Sequence, residues 1–86
     1  MDGFLISEDE STAIKLSGIN TISFYEDEES SDGIIRTLII FINTIEVGSI
    51  PNNKSIRKLV MEKLMSIIQE GKTSSISAIK EQLNLF

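Results

Sequence analysis

The sequence contains neither cysteine nor histidine, and each absence excludes common kinds of site. Without cysteine the chain can form no disulfide and no thiolate metal site. Without histidine it lacks the commonest general base and the commonest metal ligand. Catalysis would depend on carboxylates, Lys, Ser, Thr or the single tyrosine, and none of these has the spacing of a known catalytic motif. We therefore expect no enzyme activity, no metal and no cofactor.

Long apolar runs are also absent. The longest spans residues 38–42, far short of the roughly 18 residues that cross a membrane. The opening MDGFLISEDE lacks the basic start and long apolar stretch of a signal peptide. Together with the lack of cysteine, these features predict a soluble protein in a reducing cytoplasm.

The most apolar and β-branched stretch, residues 34–47, is the predicted central strand, with a possible turn at residues 43–44. Both of its faces are apolar, which is typical of an interior strand covered on both sides. One face would carry Ile34, Leu38, Ile40 and Ile42, and the other Ile35, Ile39 and Phe41. Residues 45–50 would form a fourth strand or continue the third.

A second strand is predicted at residues 19–25, where Ile22 and Phe24 share an apolar face. Residues 26–33 (EDEESSDG) then predict a long, acidic hairpin loop that ends in a dipeptide suited to positive φ. A short edge strand is expected at residues 4–6.

The strongest helix prediction covers residues 54–70, with Asn53 as its N-cap and Gly71 as its C-terminal residue. Its apolar arc, about half the circumference, is wider than one sheet face needs. The arc contains Ile56, Val60, Met61, Leu64, Met65, Ile67 and Ile68.

A short terminal helix over residues 76–83, capped by Ser74 or Ser75, is expected either to cover the extra arc of the long helix or to brace an edge of the sheet. The 86 residues thus predict one α+β domain of order β-β-β(-β)-α-α. In it, an antiparallel meander of three to four strands packs on the long amphipathic helix.

Charge is distributed unevenly. The net charge is −5, but residues 1–33 hold nine acids and one base, whereas residues 34–86 hold four acids and seven bases. The acidic part predicts a negative surface that binds a basic protein surface. Its candidate residues are Glu8, Asp9, Glu10, Glu26, Asp27, Glu28, Glu29 and Asp32. The competing interpretation is a solvated hairpin tip that only aids solubility.

In size, acidity and predicted α+β build, the chain resembles the small phage and mobile-element proteins that inhibit host defence, anti-CRISPR proteins among them. The resemblance is one of profile and covers no alignable stretch. It implies a stoichiometric inhibitor that presents carboxylates to a nucleic-acid-binding groove, in place of phosphates. The first functional hypothesis is therefore a non-enzymatic protein-binding module without direct nucleic-acid binding.

The second hypothesis is a DNA-associated or transcriptional accessory protein that uses the two C-terminal helices. Lys54, Arg57, Lys58 and Lys63 of the long helix could contact phosphates, but the last helix offers only Lys80, Glu81 and Gln82 to read base edges. Net acidity also disfavours DNA affinity.

The sequence also allows a homodimer and lacks two common ligand-binding motifs. The two-sided apolar strand makes a homodimer the alternative to cover by the chain's own segments. The acidic loop lacks the ligand spacing of an EF-hand calcium loop, and residues 71–73 lack the glycine and preceding strand of a phosphate-binding loop.

Overall fold

The computed structural model describes residues 2–27 and 31–86. Within them the chain forms six strands and two α-helices, with a 3₁₀ turn at Leu16–Gly18. The elements are β1 (Phe4–Ile6), β2 (Ala13–Lys15), β3 (Ile22–Glu26), β4 (Thr37–Ile42), β5 (Ile45–Pro51), α1 (Lys54–Glu70), β6 (Ser74–Ser75) and α2 (Ile76–Gln82). The predicted α+β class is confirmed. Neither helix is long and apolar enough to cross a membrane.

The strands form two three-stranded sheets rather than one meander. β3, β4 and β5 make an antiparallel meander in that order, as the hairpin signals predict. The other sheet has the order β2-β1-β6, with β1 antiparallel to β2 and parallel to β6. The prediction of a single meander with residues 4–6 at its edge is wrong, because β1 is the centre of this second sheet.

The central strand of the meander begins later than predicted. It starts at Thr37, and the Ile34 side chain, predicted to lie on the strand's inner face, is 55% exposed. The predicted turn is present, with Asn43 at a φ of 57°. The Asn43 amide oxygen accepts hydrogen bonds from the backbone N–H groups of Asn20 and Thr21, so this turn also positions the start of β3.

One buried apolar cluster joins both sheets and both helices. Alternate residues of β4 face it, as the period of two in a strand requires. Among the described residues its members are Leu5, Ile14, Leu16, Leu38, Ile40, Ile42, Val47, Ile50, Val60, Leu64, Ile76 and Ile79. The opposite face of β4, with Ile39 and Phe41, is only half-buried.

Local signals set the bounds of α1. The Asn53 side chain accepts hydrogen bonds from the N–H groups of Ser55 and Ile56, and Gly71 ends the helix at a φ of 71°. Of the two positions predicted for the short terminal helix, the structure has the one at a sheet edge, because α2 packs against β5 and β6. Met65 therefore remains 56% exposed and Met61 half-buried.

Gly48 in β5 lies against two other elements. A Cβ at this position would be 2.8 Å from Glu8 Oε1 and 2.8 Å from Ile76 Cγ2. Side chains of the β1–β2 turn and of α2 thus occupy the space that a side chain at position 48 would need, and the shared core depends on that space.

We expect Gly48→Ala to lower the free energy of unfolding by about 1–3 kcal/mol, because the added methyl displaces well-packed neighbours. Urea denaturation measures the change. Gly18→Ala is the matched control, since a Cβ there meets no atom within 4 Å. Equal losses in both variants would contradict the close approach at Gly48.

Candidate partner-binding surface

The predicted acidic residues occupy several different environments. Glu26 ends β3 and is exposed. Asp27 extends the strand by one residue, since its backbone N–H donates to the Thr37 carbonyl at 2.9 Å. Glu28 and Glu29 lie outside the described residues.

Asp32 differs from the expected free carboxylate. Its carboxyl oxygens accept two hydrogen bonds from the Arg36 guanidinium, and one of them also accepts the N–H of Ile34 at 2.9 Å. Both partners of this ion pair are largely exposed, so its contribution to stability is small. The paired charges nevertheless cancel locally, and the role of Asp32 in partner binding stays a prediction.

Glu8 also has partners within the chain, because its carboxylate closes the outer edge of β5. One oxygen accepts the Ser49 N–H at 3.2 Å, and the other accepts from the Lys80 ammonium at 2.8 Å. Lys80 donates at 2.7 Å to the Ser49 carbonyl and is itself only 8% exposed. The Glu8 backbone N–H donates to the Val47 carbonyl at 2.7 Å. The carboxylate of Glu8 is therefore engaged within the chain, and its role in partner binding stays a prediction.

Lys80 of the DNA hypothesis is likewise engaged within the chain, because its ammonium donates to Glu8 and Ser49. The α1–α2 connection contains strand β6, and the N-terminal turn of α2 buries Ile76. The other cations of that hypothesis, Lys54, Arg57, Lys58 and Lys63, are exposed on α1.

Asp9 organises the turn between β1 and β2. Its Oδ1 accepts from the Ser7 hydroxyl at 2.7 Å and from the Ser11 hydroxyl and N–H at 2.7 and 3.0 Å. Hydrogen bonds from Ser11, and then from Ser7, lower the pKa of the Asp9 carboxyl to about 2. Asp9 thus keeps its negative charge, and neighbouring Glu10 is exposed at a φ of 61°.

An acidic cleft brings the two predicted acidic groups together. Its volume is about 410 Å³, and Glu8 and Asp9 from the β1–β2 turn, Asp27 after β3 and Glu46 from β5 line it. Glu46 was not predicted, although the alternation of Ile45, Glu46 and Val47 places it on the outer face of the sheet. No cluster of acidic side chains among the described residues could hold a metal ion.

An apolar patch adjoins this cleft on the same outer face of the sheet. Tyr25 is 58% exposed, and its ring meets Phe41 edge-on, with 5.2 Å between centroids. Ile39 pairs with Tyr25 across the strands and lines both the patch and the acidic cleft. The outer face therefore combines an aromatic and aliphatic centre (Tyr25, Ile39, Phe41) with a carboxylate border.

Replacing Lys80 with Met should destabilise the fold, because the Glu8 carboxylate and the Ser49 carbonyl lose their shared donor. We expect a loss of about 2–3 kcal/mol, below that of a fully buried pair because the Glu8 side chain is 29% exposed. A double-mutant cycle with Glu8→Gln, measured by urea denaturation, should give a coupling of about 1 kcal/mol or more. Additive losses would show that the two side chains do not act together.

Asp9→Asn should destabilise the protein in a pH-dependent way. Folding depresses the pKa of this carboxyl, so its contribution is fully present above its ordinary pKa of about 4 and is lost as the pH falls through about 2. The difference in free energy of unfolding between the parent and Asp9→Asn, measured by urea titration, should shrink as the pH falls from about 5 to about 2. Glu10→Gln, at the next position, is the control, and a difference that stays constant for Asp9→Asn would contradict the hydrogen-bonded turn.

Comparison with known proteins gave no match, whether with family models, curated proteins or solved structures. The function is therefore inferred from the residues of this chain alone.

Proposed function

We propose that the protein is a non-enzymatic protein-binding module, and that the outer face of the β3-β4-β5 sheet binds a basic surface of its partner. The observation that carries the proposal is the continuity of this face. Ile39 belongs at once to the aromatic patch and to the acidic cleft, so one partner can contact both.

The composition of the face suits protein recognition better than small-molecule binding. Tyrosine and phenylalanine are enriched at interface centres, where burying one large ring contributes much of the affinity. Charged side chains at the border contribute more to the rate of association and to specificity. Tyr25 and Phe41 fit the first role, and Asp27 and Glu46 the second.

The carboxylates proposed to meet the partner differ from the predicted set. Glu8 and Asp32 are engaged within the chain, whereas Glu46 joins the set from β5. Glu28 and Glu29 remain in the proposal on sequence alone. The full set is Asp9, Glu10, Glu26, Asp27, Glu28, Glu29 and Glu46.

The partner class follows from the charge. Carboxylates spaced along a strand end and a turn resemble a short run of phosphates, and a groove of Lys and Arg that holds nucleic acid would attract both. An inhibitor that occupies such a groove in the cytoplasm is the specific form of the proposal. This form rests on the profile resemblance to phage and mobile-element inhibitors together with the acidic cleft.

Photo-crosslinking tests where the partner binds. With a photoreactive amino acid in place of Tyr25, we expect crosslinks to one partner in native cytosol, identified by mass spectrometry. The same substitution at Gln69, which is exposed on α1, is the control. Crosslinks from Gln69 but not from position 25 would reject the outer face as the binding surface.

With the partner purified, neutralising Glu26, Asp27 and Glu46 to the amides should weaken binding on the order of tenfold at low salt and flatten its salt dependence. Tyr25→Ala should weaken binding by about 30-fold at every salt concentration, as expected of an interface anchor. The matched control neutralises Glu62, Glu70 and Glu81, which changes the net charge equally. Equal weakening by the control would mean that overall charge, not this face, attracts the partner.

A further inference from the structure

The two edges of the β3-β4-β5 sheet differ. At β5, the outward N–H and C=O of Ser49 bond to Glu8 and Lys80, as if to a neighbouring strand. At β3, no strand of the described chain pairs with the outer edge. One edge of the sheet is therefore closed by side chains, and the other is open.

The register of the ladder shows which β3 groups the open edge offers. The Thr21 carbonyl and the Asp27 N–H bond to β4, so odd-numbered residues direct their backbone groups inward. The N–H and C=O groups of Ile22, Phe24 and Glu26 accordingly point away from the sheet. An added strand could bond to these three residues without disturbing the sheet.

An apolar groove runs alongside this edge, between β3 and α1. Two adjoining depressions, of about 550 and 300 Å³, share Met61 in their lining. Phe24 lines the first and Ile22 the second, where Met65 and Ile68 complete the wall. These residues belong to the arc of α1 that α2 leaves uncovered, together with the apolar side chains of β3.

Three cations border the Phe24 end of the groove. Lys54, Arg57 and Lys58 line it with a single acid, Glu62, and all three cations are exposed. None of the ion pairs among the described residues includes them. This end of the groove therefore favours a negatively charged occupant.

We propose that the open edge of β3 and this groove form a second docking site, which takes an extended, apolar and acidic segment of a partner polypeptide as an added strand. The edge offers backbone groups, the groove receives alternate apolar side chains, and the cations fix an acidic end. A small ligand fits less well, because small-molecule pockets enclose most of the ligand and this groove is open along its length.

A second copy of the chain also fits less well. Antiparallel pairing of two β3 edges around Phe24 would place Glu26 of each copy opposite Ile22 of the other. The acids would then lie away from Lys54 and Arg57, and the cations would face neutral residues. Charge complementarity therefore favours a partner segment whose acids lie at the opposite end of the added strand, beside the cations.

A blocked peptide, Asp-Glu-Val-Thr-Val-Thr-Val, is a direct probe, since an antiparallel strand would bring its N-terminal acids to the cations. Hydrogen exchange measured by NMR at about millimolar peptide should show new protection at the amides of Ile22, Phe24 and Glu26. The Ser23 and Tyr25 amides should already be protected in the free protein. The control peptide replaces Asp-Glu by Lys-Lys and should protect none of them.

Charge reversal tests the cations. Lys54→Glu with Lys58→Glu should weaken peptide binding on the order of tenfold, whereas Lys63→Glu with Lys72→Glu, an equal change in net charge, should leave it within about twofold. Unchanged thermal unfolding would show that both variants fold. The Tyr25→Ala variant should bind the outer-face partner more weakly but should still bind the peptide. This outcome would show that the two sites are separate.

Three results would overturn the proposal. The first is the absence of new protection at Ile22, Phe24 and Glu26 with the acidic peptide. The second is a concentration-dependent dimer in sedimentation that protects these amides without peptide. The third is binding of duplex DNA in a low-salt gel shift that the Lys54 and Lys58 reversals abolish.

Discussion

The hydrogen-bonded ring of Glu8, Lys80 and Ser49 is the constraint on which the arrangement of the chain depends. It joins the β1–β2 turn, the edge of β5 and α2, which are separated by up to 72 residues in sequence. A buried ammonium is costly unless its donors are satisfied, and here a carboxylate and a carbonyl accept from it. The Lys80 ammonium also lies 5.4 Å from the ring centroid of Phe86, within the range of a cation–π contact. No buried polar side-chain atom in residues 2–27 and 31–86 lacks a partner.

This ring also determines which surfaces of the sheet remain open. Exposed strand edges invite pairing with other chains, and proteins commonly cover them or place charges on them. β5 is covered in this way, because Glu8 and Lys80 occupy the positions that a neighbouring strand would take. The β3 edge has no such cover among the described residues, and the outer face beside it keeps Tyr25 exposed. The β3 edge and its groove thus lie away from the ring, whereas the acidic cleft of the outer face reaches it, since Glu8 and Ser49 are in the cleft lining.

The parts of the fold that local rules determine could be predicted from the sequence. The bounds of α1, its Asn53 cap and the left-handed Gly71 follow from groups within a few residues of each other. The second sheet could not be predicted, because it pairs Leu5 with Ser74 through a two-residue strand that has no pattern of its own. The hydrogen bonds of Glu8 within the chain could not be predicted either, because its partners Ser49 and Lys80 are distant in sequence. Lysine is rarely buried, so no local pattern in the sequence indicated that Lys80 would be buried and would bind Glu8. Glu46, by contrast, could have been found from the sequence, because the alternation of Ile45, Glu46 and Val47 places its side chain on the outer face.

The uneven charge of the sequence corresponds to two different surfaces, one on each face of β3. Tyr25 points to the outer face with the carboxylates, whereas Phe24, one residue away, points to the groove with the cations. Asp27 in the acidic cleft and the bases of α1 that border the groove therefore lie on opposite faces of the sheet. A strand added at the edge of β3 would lie beside Tyr25 and widen the outer face. Occupancy of the groove would then change the area offered to the basic partner, and the two sites would be coupled through β3 in both directions.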